Sequence, residues 1–127
     1  MTAVTTGVDL VEISRFHSLN PAIRERFYKR VFTPMELEEA RASVESLAGK
    51  FAAKEAAAKA LGSGIGMVRW QDLEVLPDLQ GRPVLTLHEN ATRAASQAGW
   101  VSWSLSITHT HAYAVAVVTA LMENELG

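Results

Sequence analysis

Residues 47–62 read "LAGKFAAKEAAAKALG", from Leu47 to Gly62. Nearly half of the stretch is alanine, the residue that loses least on entering a helix. The spacing predicts one long helix from about Val44 to Leu61, stopped by Gly62 and followed by a glycine loop, Gly62-Ser63-Gly64-Ile65-Gly66. Small side chains let such a helix approach its neighbours closely. Yet the quoted stretch carries Lys50, Lys54 and Lys59 with a single acid, Glu55. A lone carboxylate among three lysines is out of place in a helix built only to pack.

On the N-terminal side, Thr2 to Val8 is rich in β-formers and predicts a first strand. A helix is expected from about Leu10 to Leu19. Asn20-Pro21 restarts a helix, with Asn as its cap and Pro in its first turn. Thr33-Pro34-Met35-Glu36 has the form of a capping box. On the C-terminal side, Leu73 to Leu76 and Val84 to Leu87 read as short strands around the turn "PDLQGRP", and His88 to Ala98 as a helix closed by Gly99. In "WVSWSLSIT", Val101, Trp103, Leu105 and Ile107 alternate with Ser102, Ser104, Ser106 and Thr108, a strand with one apolar and one hydroxyl face. "HTH" connects it to "AYAVAVVTAL", apolar on both faces and so expected as a buried strand. The sum is an α+β fold, an antiparallel sheet packed on one long helix, in one domain spanning 1–127.

The composition is that of an ordinary globular protein, 48% hydrophobic and 20% charged over 127 residues. The absence of cysteine excludes disulfides and thiolate metal sites. The start, "MTAVTTGVDLVEI", has no basic leader, and Asp9 interrupts its apolar run. The longest apolar run, Ala112 to Met122, is too short to span a bilayer. A cytoplasmic protein that binds neither membrane nor nucleic acid is expected, the latter because the net charge is -2. The charge is uneven: Arg15, Arg24, Arg26, Lys29 and Arg30 face only Glu25 in that segment. Such a patch is either a solvated helix surface or a dock for an acidic partner.

Asp9 stands where the first strand turns toward a helix, so it is either a favoured acid at a helix start or a ligand. Glu55 is followed four residues on by Lys59, the orientation of a helix ion pair. The other reading is a phosphate site: a carboxylate for a magnesium ion, a lysine for phosphate charge, and the N–H groups of the glycine loop beyond. His109 and His111 are open to three readings, as turn histidines, as an anion or nucleotide contact, or as part of a zinc site. Trp70, Trp100 and Trp103 are read as packing residues.

Four blocks together, "GVDLVEISRF", "RVFTPMELE", "LAGKFAAKEAAAKALGSGIG" and "SITHTHAYAVAVV", closely resemble the holo-acyl-carrier-protein synthases, the small trimeric class of 4′-phosphopantetheinyl transferases. The resemblance implies transfer of phosphopantetheine from coenzyme A to a serine of apo acyl carrier protein in fatty acid biosynthesis, with release of 3′,5′-ADP and a requirement for magnesium. It implies Asp9 and Glu55 as metal carboxylates and Lys59 on the phosphates. Ser63, Gly64, Ser106, Thr108 and His109 would lie by the nucleotide end of coenzyme A. Arg15 and Arg24, with the basic helix between Arg24 and Arg30, would face the acidic carrier protein. The implied assembly is a homotrimer with its active sites at subunit boundaries.

Two features depart from the family pattern. Many relatives have Gly-Ile-Gly where this chain has Thr5-Thr6-Gly7, and many have arginine at Lys50. An ammonium does not replace a guanidinium fork without loss. Lys50 and Lys54 either add positive field toward the donor or are solvated. The base that takes the serine proton is either Glu55 or a water on the metal. The rival readings are a non-catalytic carrier-binding module and a different coenzyme A- or nucleotide-dependent transferase or hydrolase.

Overall fold

A computed structural model of the chain describes residues 1–62 and 67–123. The elements, in chain order, are β1 (Thr2–Glu12), α1 (Ser14–His17), α2 (Pro21–Val31), α3 (Pro34–Ala40), α4 (Val44–Leu61), a 3-10 turn (Trp70–Asp72), β2 (Leu73–Pro77), β3 (Pro83–Leu87), α5 (Glu89–Ala98), β4 (Trp100–His109) and β5 (Tyr113–Glu123). The fold is α+β with two antiparallel sheets: a three-stranded sheet ordered β1-β5-β4 and the β2-β3 hairpin. The Trp103 indole N–H joins the two by donating to the Leu85 carbonyl at 2.9 Å.

Local chemistry sets the helix ends. Asn20 Oδ1 accepts from the backbone N–H of Ala22 and Ile23 at the head of α2. Thr33 and Glu36 form the expected capping box at the head of α3. Ser43 caps α4 through the Ser46 N–H, and Gly62 ends it in the left-handed region at φ +79°. Ser63 and Gly64, expected in the glycine loop, lie outside the described residues.

α4 packs on one face of the three-stranded sheet. Ala52, Ala53, Ala56 and Ala57 are wholly buried on it, against Ala114, Ala116, Val118 and Ala120 of β5 among others. Contact with β1 is closer still. A Cβ on Gly7 would lie 2.0 Å from the Ala56 carbonyl oxygen and 2.8 Å from the Ala60 nitrogen. Only glycine admits the helix backbone at that separation. Thr5 locks the same seam, its hydroxyl donating to the Ala60 carbonyl at 2.9 Å.

Three expectations are corrected. The helix over Leu10–Leu19 shrinks to the single turn Ser14–His17, because β1 continues to Glu12, paired with β5 along its full length. Leu10 and Val11 are taken by the partners Val115 and Ala114. Asp9 is therefore a residue within a strand and not an acid at a helix start. Second, β5 is not buried on both faces. Ala114, Ala116, Val118 and Ala120 are buried, whereas Tyr113, Val117 and Leu121 are exposed, because among the described residues α4 covers one face of the sheet and leaves the other open. Third, Lys50 and Lys54 are not solvated. Lys50 Nζ reaches Glu39 Oε1 at 2.6 Å and the Val75 carbonyl at 3.1 Å. Lys54 and Glu36 are both fully buried and pair at 2.8 Å.

β4 keeps its alternation with one interruption. A bulge between Trp100 and Ser102 puts Val101 out of register and leaves it exposed. Beyond it, Ser102, Ser104, Ser106 and Thr108 stand opposite Leu121, Thr119, Val117 and Val115. The hydroxyl face of β4 thus continues the open face of the sheet, away from α4.

Candidate active site

Asp9 comes from β1 and Glu55 and Lys59 from α4, and the Gly7 seam brings the two elements together. Asp9 stands opposite Ala116, on the face covered by α4. Its side chain is 11% exposed, and Oδ2 is buried and accepts from no N–H of the described residues. Oδ1 accepts from Lys59 Nζ at 3.1 Å. The same ammonium donates to the Val8 carbonyl at 2.9 Å and remains 58% exposed. Lys59 is therefore tied to β1, and no Glu55–Lys59 ion pair forms among the described residues.

Glu55 is half-buried, and its carboxyl is pushed up to about 7. Burial is the main cause. A hydrogen bond with Asp9 and the charge of Asp9 add to it, while Lys59 and Arg15 oppose it. Asp9 disfavours the charge of Glu55, and the two carboxyls are held with one ammonium at their rim and a guanidinium within electrostatic reach. Such a pair concentrates negative charge where a cation relieves it.

An aromatic cluster places Arg15. Phe16 packs edge-on against Phe27 at 5.7 Å and against Phe51 at 5.9 Å, and Phe51 meets Trp70 at 5.1 Å. Phe51 lies one turn before Glu55 on α4, so the cluster fixes α1 beside the carboxylates.

Arg24 is placed differently from Arg26 and Arg30. Its Nη2 donates to the Leu19 carbonyl at 3.0 Å and to the His17 carbonyl at 3.4 Å, and its Nε is buried. It braces the end of α1. Arg26 and Arg30 are exposed, and Lys29 pairs with Glu25 at 3.3 Å.

Ser106, Thr108 and His109 do not join Asp9 and Glu55 within the chain. Ser106 and Thr108 lie on the open face of the sheet, and Asp9 lies on the other. His109, the last residue of β4, lines a cavity of about 530 Å³ with Ser46, Gly49, Lys50 and Pro83. The sequence reading missed the Lys54–Glu36 pair. The only local signal for it was Glu36 in a capping box, which says nothing of a lysine eighteen residues on.

Residues 5–118 match the model of the 4′-phosphopantetheinyl transferase superfamily. The chain is 43% identical over 125 residues to the holo-[acyl-carrier-protein] synthase of Herpetosiphon aurantiacus, covering 93% of this chain and 98% of that one. It is 44% identical over 126 residues to the synthase of Moorella thermoacetica, covering 95% and 94%. Its fold superposes with TM-score 0.82 on the Helicobacter pylori holo-[acyl-carrier-protein] synthase in complex with coenzyme A, at 31% identity, over 91% of this chain and 98% of that chain. The chain belongs to the 4′-phosphopantetheinyl transferase superfamily, among the holo-[acyl-carrier-protein] synthases.

Proposed function

We propose that the chain transfers 4′-phosphopantetheine from coenzyme A to a serine of apo acyl carrier protein, giving holo carrier protein and 3′,5′-ADP, in fatty acid biosynthesis. The observation that carries this reading is the abutment of Asp9 and Glu55 with Lys59 on Asp9. Two hard carboxylates, one with a buried oxygen that no N–H of the described residues satisfies, fit magnesium, which takes one or two carboxylates and leaves its other positions to phosphate and water. Asp9 and Glu55 would hold it. When bound, magnesium offsets the charge that develops on the pyrophosphate.

The chain's own residues supply the rest. The exposed Lys59 ammonium turns to a phosphate oxygen of coenzyme A. The serine hydroxyl oxygen of the carrier protein attacks the phosphorus that bears pantetheine. A carboxylate oxygen of Glu55 takes the hydroxyl proton, a serine–phosphorus bond forms, and the bond to 3′,5′-ADP breaks. No nucleophile from this chain is needed.

The open face of the sheet supports a homotrimer with shared sites. Val4, Val8 and Leu10 of β1 are 64%, 53% and 60% exposed there, beside Val117 and Leu121. Ser106 and Thr108 share that face, so a neighbouring subunit seated on it receives them. Together with His109, they form the nucleotide end of the site. The exposed Arg26 and Arg30, with Arg15, meet the acidic carrier protein. A cytoplasmic location fits both substrates, and no helix among the described residues is long and apolar enough to cross a membrane.

Intact-mass measurement of an apo carrier protein incubated with the chain, coenzyme A and magnesium tests the proposal. A gain of one phosphopantetheine group, lost on chelation, is expected. Carrier binding without any mass gain would instead identify a non-catalytic module.

A further inference from the structure

Alanine packing explains how closely α4 approaches the sheet but not which way the helix is turned. Ala52, Ala53, Ala56, Ala57, Ala58 and Ala60 point in several directions, and all are buried. A helix so uniform in its small side chains has few ridges to set its rotation. Adjacent residues differ by about 100° around a helix, so a slip of one residue would swing Glu55 away from Asp9.

The one long side chain fully buried on α4 besides Leu47 is Lys54. Its Nζ donates to Glu36 Oε1 at 2.8 Å, the Leu73 carbonyl at 2.6 Å and the Trp70 carbonyl at 3.0 Å. All three ammonium protons are thereby used. Glu36 Oε1 also accepts from the Thr33 N–H at 2.8 Å, and Oε2 accepts from the Val75 N–H at 2.7 Å. One turn earlier, Lys50 repeats the pattern with Glu39 and the Val75 carbonyl. Two rungs therefore join α4 to α3, and both rungs reach β2. A buried ion pair is weak support for stability, since apolar replacements are often as stable; its best-attested use is to fix register.

We propose that the Lys54–Glu36 pair is the index that sets the rotation of α4, and that both residues act as positioning residues by aiming Glu55 at Asp9. The inference rests on the reading of Asp9 and Glu55 as the metal site. Lys54 touches neither. It acts through the next residue of its own helix, whose direction follows once Lys54 has been seated among Glu36, Leu73 and Trp70.

The test uses two neutral pairs, Glu36→Met with Lys54→Met and Glu36→Gln with Lys54→Gln, beside wild type and Glu55→Gln. Thermal unfolding reports the fold, and Mn²⁺ binding in the presence of coenzyme A, read by electron paramagnetic resonance, reports the site. At least one neutral pair should unfold within about 5 °C of wild type. In it, Mn²⁺ affinity should fall about tenfold or more, the scale of losing an orienting partner around a metal site, and turnover should fall with it. A folded neutral pair with a smaller loss of affinity overturns the inference and leaves the pair a structural feature. Failure of both neutral pairs to fold also overturns it, because the charges would then serve folding and not the aim of Glu55. If wild type binds no Mn²⁺, or Glu55→Gln binds it as wild type does, the metal-site reading itself fails and takes this inference with it.

Discussion

Lys59 bonds across elements to Asp9, at 3.1 Å, and not along its own helix to Glu55. A local helix pair is worth only a few tenths of a kcal/mol and would have left Asp9 unrelated to α4. The observed contact makes the ammonium a neighbour of both carboxylates, where its charge lowers the pKa of Glu55. Lys59→Ala should therefore raise the KM for coenzyme A and move the acid limb of the pH–rate profile upward. An unchanged KM with an unchanged acid limb would show that Lys59 faces neither the phosphates nor Glu55.

Glu55 also predicts a stability profile. In metal-free protein its carboxyl titrates near 7 against an ordinary value of 4.5, because burial and then Asp9 disfavour its charge. Between those values the folded chain holds a proton that the unfolded chain has released. The contribution of neutral Glu55 is fully present below about pH 4.5 and is lost as the pH rises through about 7. Melting temperatures in chelator across that window should fall with pH, and Glu55→Gln should flatten the fall. Identical wild-type and Glu55→Gln curves would remove the cause assigned here.

Gly7 is the seam on which the site depends. An added Cβ meets the Ala56 carbonyl oxygen at 2.0 Å and the Ala60 nitrogen at 2.8 Å, and both are backbone atoms that cannot swing aside. Gly7→Ala should cost about 3 kcal/mol or more by chemical denaturation, at or above the upper range for overpacking. It should also weaken magnesium activation, since β1 and α4 must part. A cost below about 1 kcal/mol would mean that the seam yields easily.

The basic segment should divide into two kinds of residue. Arg26→Glu and Arg30→Glu should raise the KM for carrier protein and flatten its salt dependence, leaving stability and the KM for coenzyme A unchanged. Arg24→Ala should instead cost about 1 kcal/mol of stability, because its guanidinium bonds the Leu19 and His17 carbonyls. If the Arg24 variant changes only carrier binding while the other two destabilise the chain, the division is reversed.

What the sequence made legible was local. Asn20, Thr33 and Gly62 act on backbone groups a few residues away, and the alanine run between Val44 and Leu61 has no competing strand pattern. What it hid was set by distant partners. Leu10 to Glu12 pass for the start of a helix until β5 pairs with them. The two-sided apolarity of β5 is plain in the sequence, but which face α4 covers is not. Lys50 and Lys54 read as surface charges because Glu39 and Glu36 stand on another helix. Asp9 and Glu55 were each legible as candidates, but their abutment needs the close approach of β1 and α4 at Gly7 as well as the rotation of α4.

The most direct measurement is turnover of folded Asp9→Asn and Glu55→Gln across a magnesium titration. Each amide keeps the shape of the side chain and removes its charge, so both variants should fold. Loss of one ligand should slow transfer roughly a hundredfold or more and shift magnesium dependence to higher concentration. Wild-type turnover with wild-type magnesium dependence in both variants would show that Asp9 and Glu55 are not the metal site and that the transfer mechanism built on them is wrong.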